Sequence, residues 1–405
     1  MRIAYIAPYK GPSLVEQRPV AGNLSLSNTI KIELVAKLLR ERSHDVDVIS
    51  MGEVGGWFYR FFPGFEEPNL FHPQIPVYYI SSLPVRLVNG LWSSVAMLRK
   101  FKARHRVSPY DVVIIFNFKR PHVTCANYAM RIGLPVILEY EDDSFVSRVG
   151  ESSNGVTQRF HQRSYTRILG TVSGCMAVSP HLLSQVSSDV PKLLLRGVVG
   201  DDLLQACKQK SERADWVLFS GTHSEPNGVV ELVEAWEQAK LPGWQLHITG
   251  HGGLTDTLKR IAGNKPNIVF HGMVSREKLV DLLTSAKICI NPHVISKTPG
   301  NLFAFKIIEY LAAGAHVMTT PMGTLEPELE TGITYMPDNE PGTIARAITD
   351  VIQKQLYKKT AEEAAERTYG PAAISRSLDQ LVREVKSNQK SSMDRLSAAR
   401  APVST

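Results

Sequence analysis

The stretch 301–320, NLFAFKIIEYLAAGAHVMTT, sets a lysine and a glutamate three positions apart in an otherwise apolar run that stops at a glycine. Three positions on a helix share one face, so Lys306 and Glu309 point the same way while Ile307, Ile308, Leu311 and Ala312 turn inward. After Gly314 the pattern changes to AHVMTT, an apolar strand. The spacing predicts a helix feeding a buried strand, with a charged pair looking outward from its first turns. A surface Lys–Glu pair of this kind is worth only about 0.2–0.5 kcal/mol. The functional alternative is that something binds there.

On either side of that stretch, strands and helices alternate. RIAYIAP (2–8), LSNTIKIELVAKLLRERS (26–43) and HDVDVIS (44–50) read as strand, helix and strand. Further strands follow at DVVIIFNF (111–118), LPVILEY (134–140), GCMAVS (174–179) and KLLLRGV (192–198). The series restarts with DWVLFSG (215–221), WQLHITG (244–250), NIVFHG (267–272), ICINP (288–292) and AHVMTT (315–320). Such alternation implies an α/β fold with parallel sheets, and the polar stretch between the two series places a domain boundary near 197–215. Ligands of open α/β sheets bind outside the carboxyl ends of the strands. In the second series the loops there carry glycines beside the coming helix, which permits close backbone approach to an anion. A single glycine of this kind is more often structural; five in register carry more weight.

At 405 residues and 43% hydrophobic content, the chain is long enough for two cores. No run reaches the roughly 18–20 apolar residues that a bilayer span needs, and MRIAYIAPYK is too short in apolar residues for a secretory signal, so the reading is cytoplasmic. The four cysteines show neither disulfide nor zinc spacing, and no metal is implied. Residues 1–200 hold 23 Lys and Arg against 15 Asp and Glu, a net of +8, which leaves −1 for the rest. That asymmetry suggests an anionic partner for the first half. No nucleic-acid-binding pattern accompanies it, which leaves an anionic membrane surface or a phosphorylated acceptor.

Gly221 followed by NGVVELVEAW, then LHITGHGG, VFHGMVS, ICINP and FKIIEYLAAGAHVMTT, resembles the carboxy-terminal domain of family 4 glycosyltransferases. The first half resembles the family more loosely, through MRIAYIAPY, LVAKLLRERSHDVDVIS and MAVSPHLL. The resemblance implies the GT-B architecture: two facing Rossmann-like domains with a cleft between them. Residues 1–200 would bind the acceptor and 201–370 the nucleotide sugar, with a helix over 371–388 crossing back and a disordered tail over 389–405. It also implies transfer of a sugar from a nucleoside diphosphate sugar to a saccharide or lipid-linked acceptor, with retention, in glycan or glycolipid biosynthesis. No cofactor is implied beyond the donor itself. The alternatives are a nucleotide-sugar epimerase of the same architecture and a catalytically weakened nucleotide-sugar-binding partner subunit.

By this resemblance Glu309 accepts hydrogen bonds from the ribose hydroxyls and Lys306 neutralises the diphosphate. The other donor-binding positions are Gly22, Gly221, Thr222, Asn227, Gly250, His251, Gly272, Met273, Asn301 and Phe305. Asn301 stands where the family has the earlier of two glutamates eight positions apart, Glu309 being the later, and Thr222 and Asn227 stand in the neighbourhood of its missing Arg–Lys clamp. Arg196 or His223 would assist.

Three further stretches bear on the reaction. The acids of LEYEDDSF (138–145) follow an apolar strand, where crowded carboxylates raise one another's pKa. Glu141 and Asp142 are therefore candidate catalytic groups, the alternative being a solvated helix cap; His122 is next in line. GGWFYRFFPGF (55–65) gathers Trp57, Phe58 and Phe61 in an expected loop, and the helix around 88–106 joins an apolar face to Arg99, Lys100 and Lys102. Together they suit peripheral contact with an anionic membrane beside the acceptor. Core packing with a solvated basic end is the equal alternative.

Overall fold

The computed structural model describes residues 1–18, 26–55, 59–69, 74–85, 88–141, 165–297, 303–323 and 325–399. Gly22, Trp57, Phe58, Asp142 and Asn301 lie outside the described residues. The chain forms two compact units, one of residues 1–198 with those from 374 onward, the other Val199–Ala373.

In the first unit β1 (Arg2–Ile6), β2 (Asp45–Ser50), β3 (Phe65–Pro68), β4 (Pro76–Tyr79), β5 (Val112–Phe116), β6 (Val136–Tyr140), β7 (Gly174–Ala177) and β8 (Lys192–Leu194) make one sheet. Its order is β3-β4-β2-β1-β5-β6-β7-β8. All pairings are parallel except β3 with β4. Ile3, Ala4, Tyr5 and Ile6 are fully buried, as a central parallel strand covered on both faces requires. The β3–β4 pair is absent from the sequence reading because FEEP is short, acidic and proline-ended, which are edge-strand properties. Phe62 is buried and the Phe65 ring sits 4.6 Å from that of Tyr79, so part of the expected aromatic loop belongs to the core.

The second unit is wholly parallel: β9 (Ala214–Ser220), β10 (Gln245–Thr249), β11 (Ile268–Gly272), β12 (Ala286–Asn291), β13 (His316–Thr319) and β14 (Ile333–Tyr335), in the order β11-β10-β9-β12-β13-β14. The helices Val229–Ala239 and Pro341–Gln353 pack together through Leu232, Val233, Trp236, Ile344 and Ile348, all buried. Each such side chain contributes about 1.5–3 kcal/mol of burial. The strand order reverses between β9 and β12, which opens a crevice at their carboxyl ends.

The last helix, Pro371–Ala399, buries Ile374, Leu378, Leu381, Val382 and Val385. Its His44 Nε2–Asp379 Oδ1 contact of 2.8 Å and the 2.9 Å bond from Arg42 Nε to Ser375 Oγ hold it to the first unit. It also runs past the expected end at 388, because residues 389–399 contain neither Gly nor Pro to stop it.

Candidate functional site

The strand-end glycines of the second sheet stand in a row. Gly221 N donates to Thr249 O at 3.1 Å and Gly250 N to Gly272 O at 2.8 Å. Gly250 has φ +119°, and a Cβ on it would lie 1.9 Å from the Gly221 carbonyl oxygen, so no other residue fits. Thr222, His251 and Met273 follow the three glycines and are exposed, Met273 at 69%.

At the crevice between β9 and β12, Gly228 (φ +63°) presses on the Pro292 carbonyl, and Val294 N donates to Pro226 O at 3.0 Å. The two loops are thereby fixed against each other, and Lys306 enters between them. Phe305 caps the helix Lys306–Ala312, accepting from Ile308 N and Glu309 N. Lys306 is the first helical residue, and it turns into the crevice rather than outward as the spacing predicted. Its Nζ lies 3.4 Å from Asn227 Oδ1 and 4.9 Å from the Phe219 ring centroid, and a Cβ on Gly221 would be 2.9 Å from it. Burial lowers its pKa to about 8. Among the described residues no carboxylate pairs with it. His293 stands beside it, buried, with Nδ1 lacking a partner among the described residues and its pKa lowered to about 4 by burial and then by Lys306.

Glu309 is held differently. Its Oε1 accepts from Arg276 Nη1 at 2.9 Å, and Arg276 is itself gripped by Asp202, Nε to Oδ2 at 2.7 Å and Nη2 to Oδ1 at 3.3 Å. Burial favours the neutral guanidine, but the Asp202 bonds and the charge of Glu309 outweigh it and raise the Arg276 pKa. Of the two proposed assistants, His223 is buried with Nδ1 2.9 Å from Thr255 Oγ1, and burial lowers its pKa, which makes it a neutral group near pH 7. Arg196 is buried in the first unit.

In the first unit Glu139, within β6, and Glu141, just after it, are already engaged. Lys31 Nζ donates to Glu141 and to Leu195 O at 3.2 Å and stands 3.6 Å from Glu139 Oε1, while Tyr5 OH donates to Glu139 Oε2. Glu139, fully buried at the end of β6, is the carboxyl whose pKa rises, by burial and by repulsion from Glu141, with Lys31 acting against both. Glu141 N donates to Asn117 Oδ1 at 2.8 Å. Glu141 is thus tied to a lysine rather than free in a cluster of acids. His122 is fully buried, its Nδ1 2.6 Å from Phe116 O, and burial lowers its pKa to about 4. That geometry gives Nδ1 the proton and places His122, the second catalytic candidate after the acids, as a neutral ring in the core.

Residues 31–192 match the family model described as glycosyl transferase 4-like domain, and residues 214–354 match glycosyl transferases group 1. The two domains are those of the group 1 glycosyltransferases. Among solved structures, a sucrose-phosphate synthase from Thermosynechococcus elongatus is 16% identical over 96% of this chain and 100% of its own, with a TM-score of 0.70. Anabaena HepE in complex with UDP is 15% identical over 95% and 100%, TM-score 0.65. A UDP-GlcNAc 2-epimerase from Neisseria meningitidis, bound to UDP-GlcNAc, is 12% identical over 94% and 99%, TM-score 0.54. No curated protein matches the chain in sequence. At these identities the structures speak for the fold, which is GT-B.

The crevice, the glycine row and the helix that opens with Lys306 all lie in the part matched to the group 1 glycosyltransferases. Arg276, Asp202 and His293 are the residues of this site that the sequence reading missed. Only Arg276 left a trace, as a cation at the first position of a helix, where the dipole disfavours it. Among the described residues no group of three or more His, Cys, Asp or Glu is placed to hold a metal ion, and no helix is long and apolar enough to cross a membrane. On the helix Asn89–Val107 the basic residues divide. Arg99 is exposed, whereas Lys100 and Lys102 lie over the rings of Tyr78 (5.0 Å) and Tyr128 (4.3 Å). Leu91, Val95 and Phe61 are about half exposed, and Tyr59 is almost wholly so.

Proposed function

We propose that the protein is a retaining, family 4 glycosyltransferase that moves a hexosyl or related sugar from a nucleoside diphosphate to a saccharide or lipid-linked acceptor in glycan or glycolipid synthesis. The second unit takes the donor and the first the acceptor. The observation that carries this reading is Lys306, an ammonium kept in a low-dielectric crevice with an amide and an aromatic ring as neighbours and no described counter-ion. A buried cation without a partner is costly, and a diphosphate supplies the missing charge. During transfer the bond from the anomeric carbon to the diphosphate oxygen breaks, one to the acceptor oxygen forms, and the acceptor hydroxyl's proton passes to the departing diphosphate. Lys306 opposes the charge that builds on the departing diphosphate. The glycine row lets the backbone come close to the nucleotide, and Glu309 Oε2 remains to accept from its ribose.

The test is incubation with UDP-, ADP- and GDP-sugars, with and without lipid and saccharide acceptors. Acceptor-dependent release of nucleoside diphosphate and a glycosylated product are expected. Conversion of the donor's sugar without release would instead indicate an epimerase, and tight binding without turnover a binding subunit. Glu309→Ala should weaken diphosphate binding about ten-fold or more, since a hydrogen bond to a charged group is worth about 1.5–3 kcal/mol. Unchanged affinity by calorimetry would remove Glu309 from the ribose.

Peripheral membrane contact through the helix Asn89–Val107 is a second part of the proposal, supported by its exposed Leu91, Val95 and Arg99. Reversing Arg99, Lys100 and Lys102 to glutamate should reduce sedimentation with anionic vesicles, each cation near such a surface contributing about 1 kcal/mol. Because Lys100 and Lys102 rest on aromatic rings, Arg99→Glu alone should account for most of the loss. Equal sedimentation of parent and triple variant rules the patch out.

A further inference from the structure

Arg276 opens the helix Arg276–Ser285, whose cap is Ser275, accepting from Lys278 N at 3.3 Å. A cation in a first helical turn faces the positive end of the helix dipole and is disfavoured there. Two carboxylates offset this one. Asp202, in the first turn of the helix Asp201–Gln209, holds the guanidinium through two bonds on one side, and Glu309 receives the remaining Nη1 on the other. The bidentate grip fixes the plane of the guanidinium, so Nη1 is a donor of set direction rather than a floating charge. Glu309 is about one-fifth exposed, and among the described residues its Oε2 has no protein donor. One carboxylate oxygen is therefore pinned and the other is free at a fixed orientation.

We propose that Arg276 is the positioning residue of the donor site, aiming Glu309 Oε2 at the ribose hydroxyls and so setting the preference for ribonucleotides over deoxyribonucleotides. Asp202 acts one step further back by orienting Arg276. This rests on the ribose assignment of Glu309 made above. A bare glutamate on a seven-residue helix samples several rotamers and pays their entropy on binding. A carboxylate already held by one oxygen has lost that freedom before the nucleotide arrives. Among the described residues the Arg276 guanidinium hydrogen-bonds to Glu309 and Asp202, so its contribution appears in how well the ribose is read and not in contact with the diphosphate.

The experiment uses the full chain. UDP, ADP and GDP are titrated by calorimetry, and the tightest is compared with its 2′-deoxy counterpart for the parent, Arg276→Gln, Arg276→Lys and Asp202→Asn. The parent is expected to prefer the ribonucleotide about ten-fold, the loss that follows from one charge-assisted hydrogen bond. Arg276→Gln should cut affinity for the ribonucleotide about five- to ten-fold and hardly change that for the deoxynucleotide, so that the ratio falls to about one to two. Arg276→Lys and Asp202→Asn should give intermediate ratios, and adding Arg276→Gln to Glu309→Gln should lower the ratio no further. A ratio equal to the parent's in Arg276→Gln, with a lowered Tm, would overturn the proposal and make Arg276 a brace between three helices. A parent that binds a diphosphate without any ribose preference overturns the assignment of Glu309 itself, and one that binds none of the three overturns the donor-site reading as a whole.

Discussion

Lys306→Met is expected to weaken nucleoside diphosphate binding ten- to hundred-fold at pH 7, the loss of about 1.5–3 kcal/mol that follows from removing a charged donor to phosphate. The fold should survive and gain in Tm, because methionine fills the same length of crevice without a buried charge. The pH dependence tests the assignment more sharply. Burial lowers the Lys306 pKa to about 8, so the free protein loses this proton as pH rises through 8, while a bound diphosphate favours keeping it. Diphosphate affinity of the parent should therefore be level from pH 7 to 7.5 and fall above 8, in a range where the terminal phosphate, with a pKa near 6, no longer titrates. Lys306→Met should show weak, pH-independent binding, and Lys306→Arg binding without the fall above pH 8. Calorimetry at four pH values decides it; parental affinity in Lys306→Met at pH 7 would take the diphosphate away from this crevice. The sign for folding is opposite to that for binding. The depressed pKa means the charged form costs stability below about pH 8, and that cost disappears as pH rises toward the unfolded value.

The second large effect belongs to the first unit. Lys31 is the one described cation shared by Glu139 and Glu141, and Lys31→Met leaves both carboxylates without it. Breaking a buried pair by removing one partner typically costs about 3–5 kcal/mol, which for a unit of this size is a fall in Tm of roughly 6–20 °C. The loss should be smaller at pH 5.5 than at pH 8. Glu139 has its pKa raised in the folded state by burial and Glu141, and without Lys31 it rises further, so protonation on acidification relieves the folded state first. Lys31→Met combined with Glu139→Gln should recover much of the stability at pH 8. Thermal melts at the two pH values check this, and an equal loss at both would show that Lys31 acts by packing alone. Glu141→Gln then separates structure from catalysis: a fall in turnover with an acceptor and an unchanged melt would give Glu141 a part in the reaction despite its bond to Lys31.

Much of this protein is legible in one dimension. The apolar runs that became β1, β2, β5–β8 and β9–β13 each announce themselves by local pattern, the central ones because a strand buried on both faces has to be apolar along its length. The pairing of Lys306 with Glu309 also stands out locally, since helical geometry alone puts them on one face. What sequence could not supply is which way each then turns. Lys306 goes into the crevice because the strand order reverses between β9 and β12, and that reversal is a property of the sheet and not of any segment. Glu309 meets Arg276 across 33 positions, Arg276 meets Asp202 across 74, and Lys31 meets Glu141 across 110. No local periodicity encodes such distances; they exist only once parallel strands bring the loops at their carboxyl ends to one edge. For the same reason Glu139 and Glu141 read as free acids until the helix carrying Lys31 is packed beside them. The residue types were therefore decided in sequence, and their chemistry, as a buried cation with no described counter-ion, a pinned carboxylate and a lysine-bound acid pair, was decided by tertiary structure, because burial and the nearest opposite charge set it.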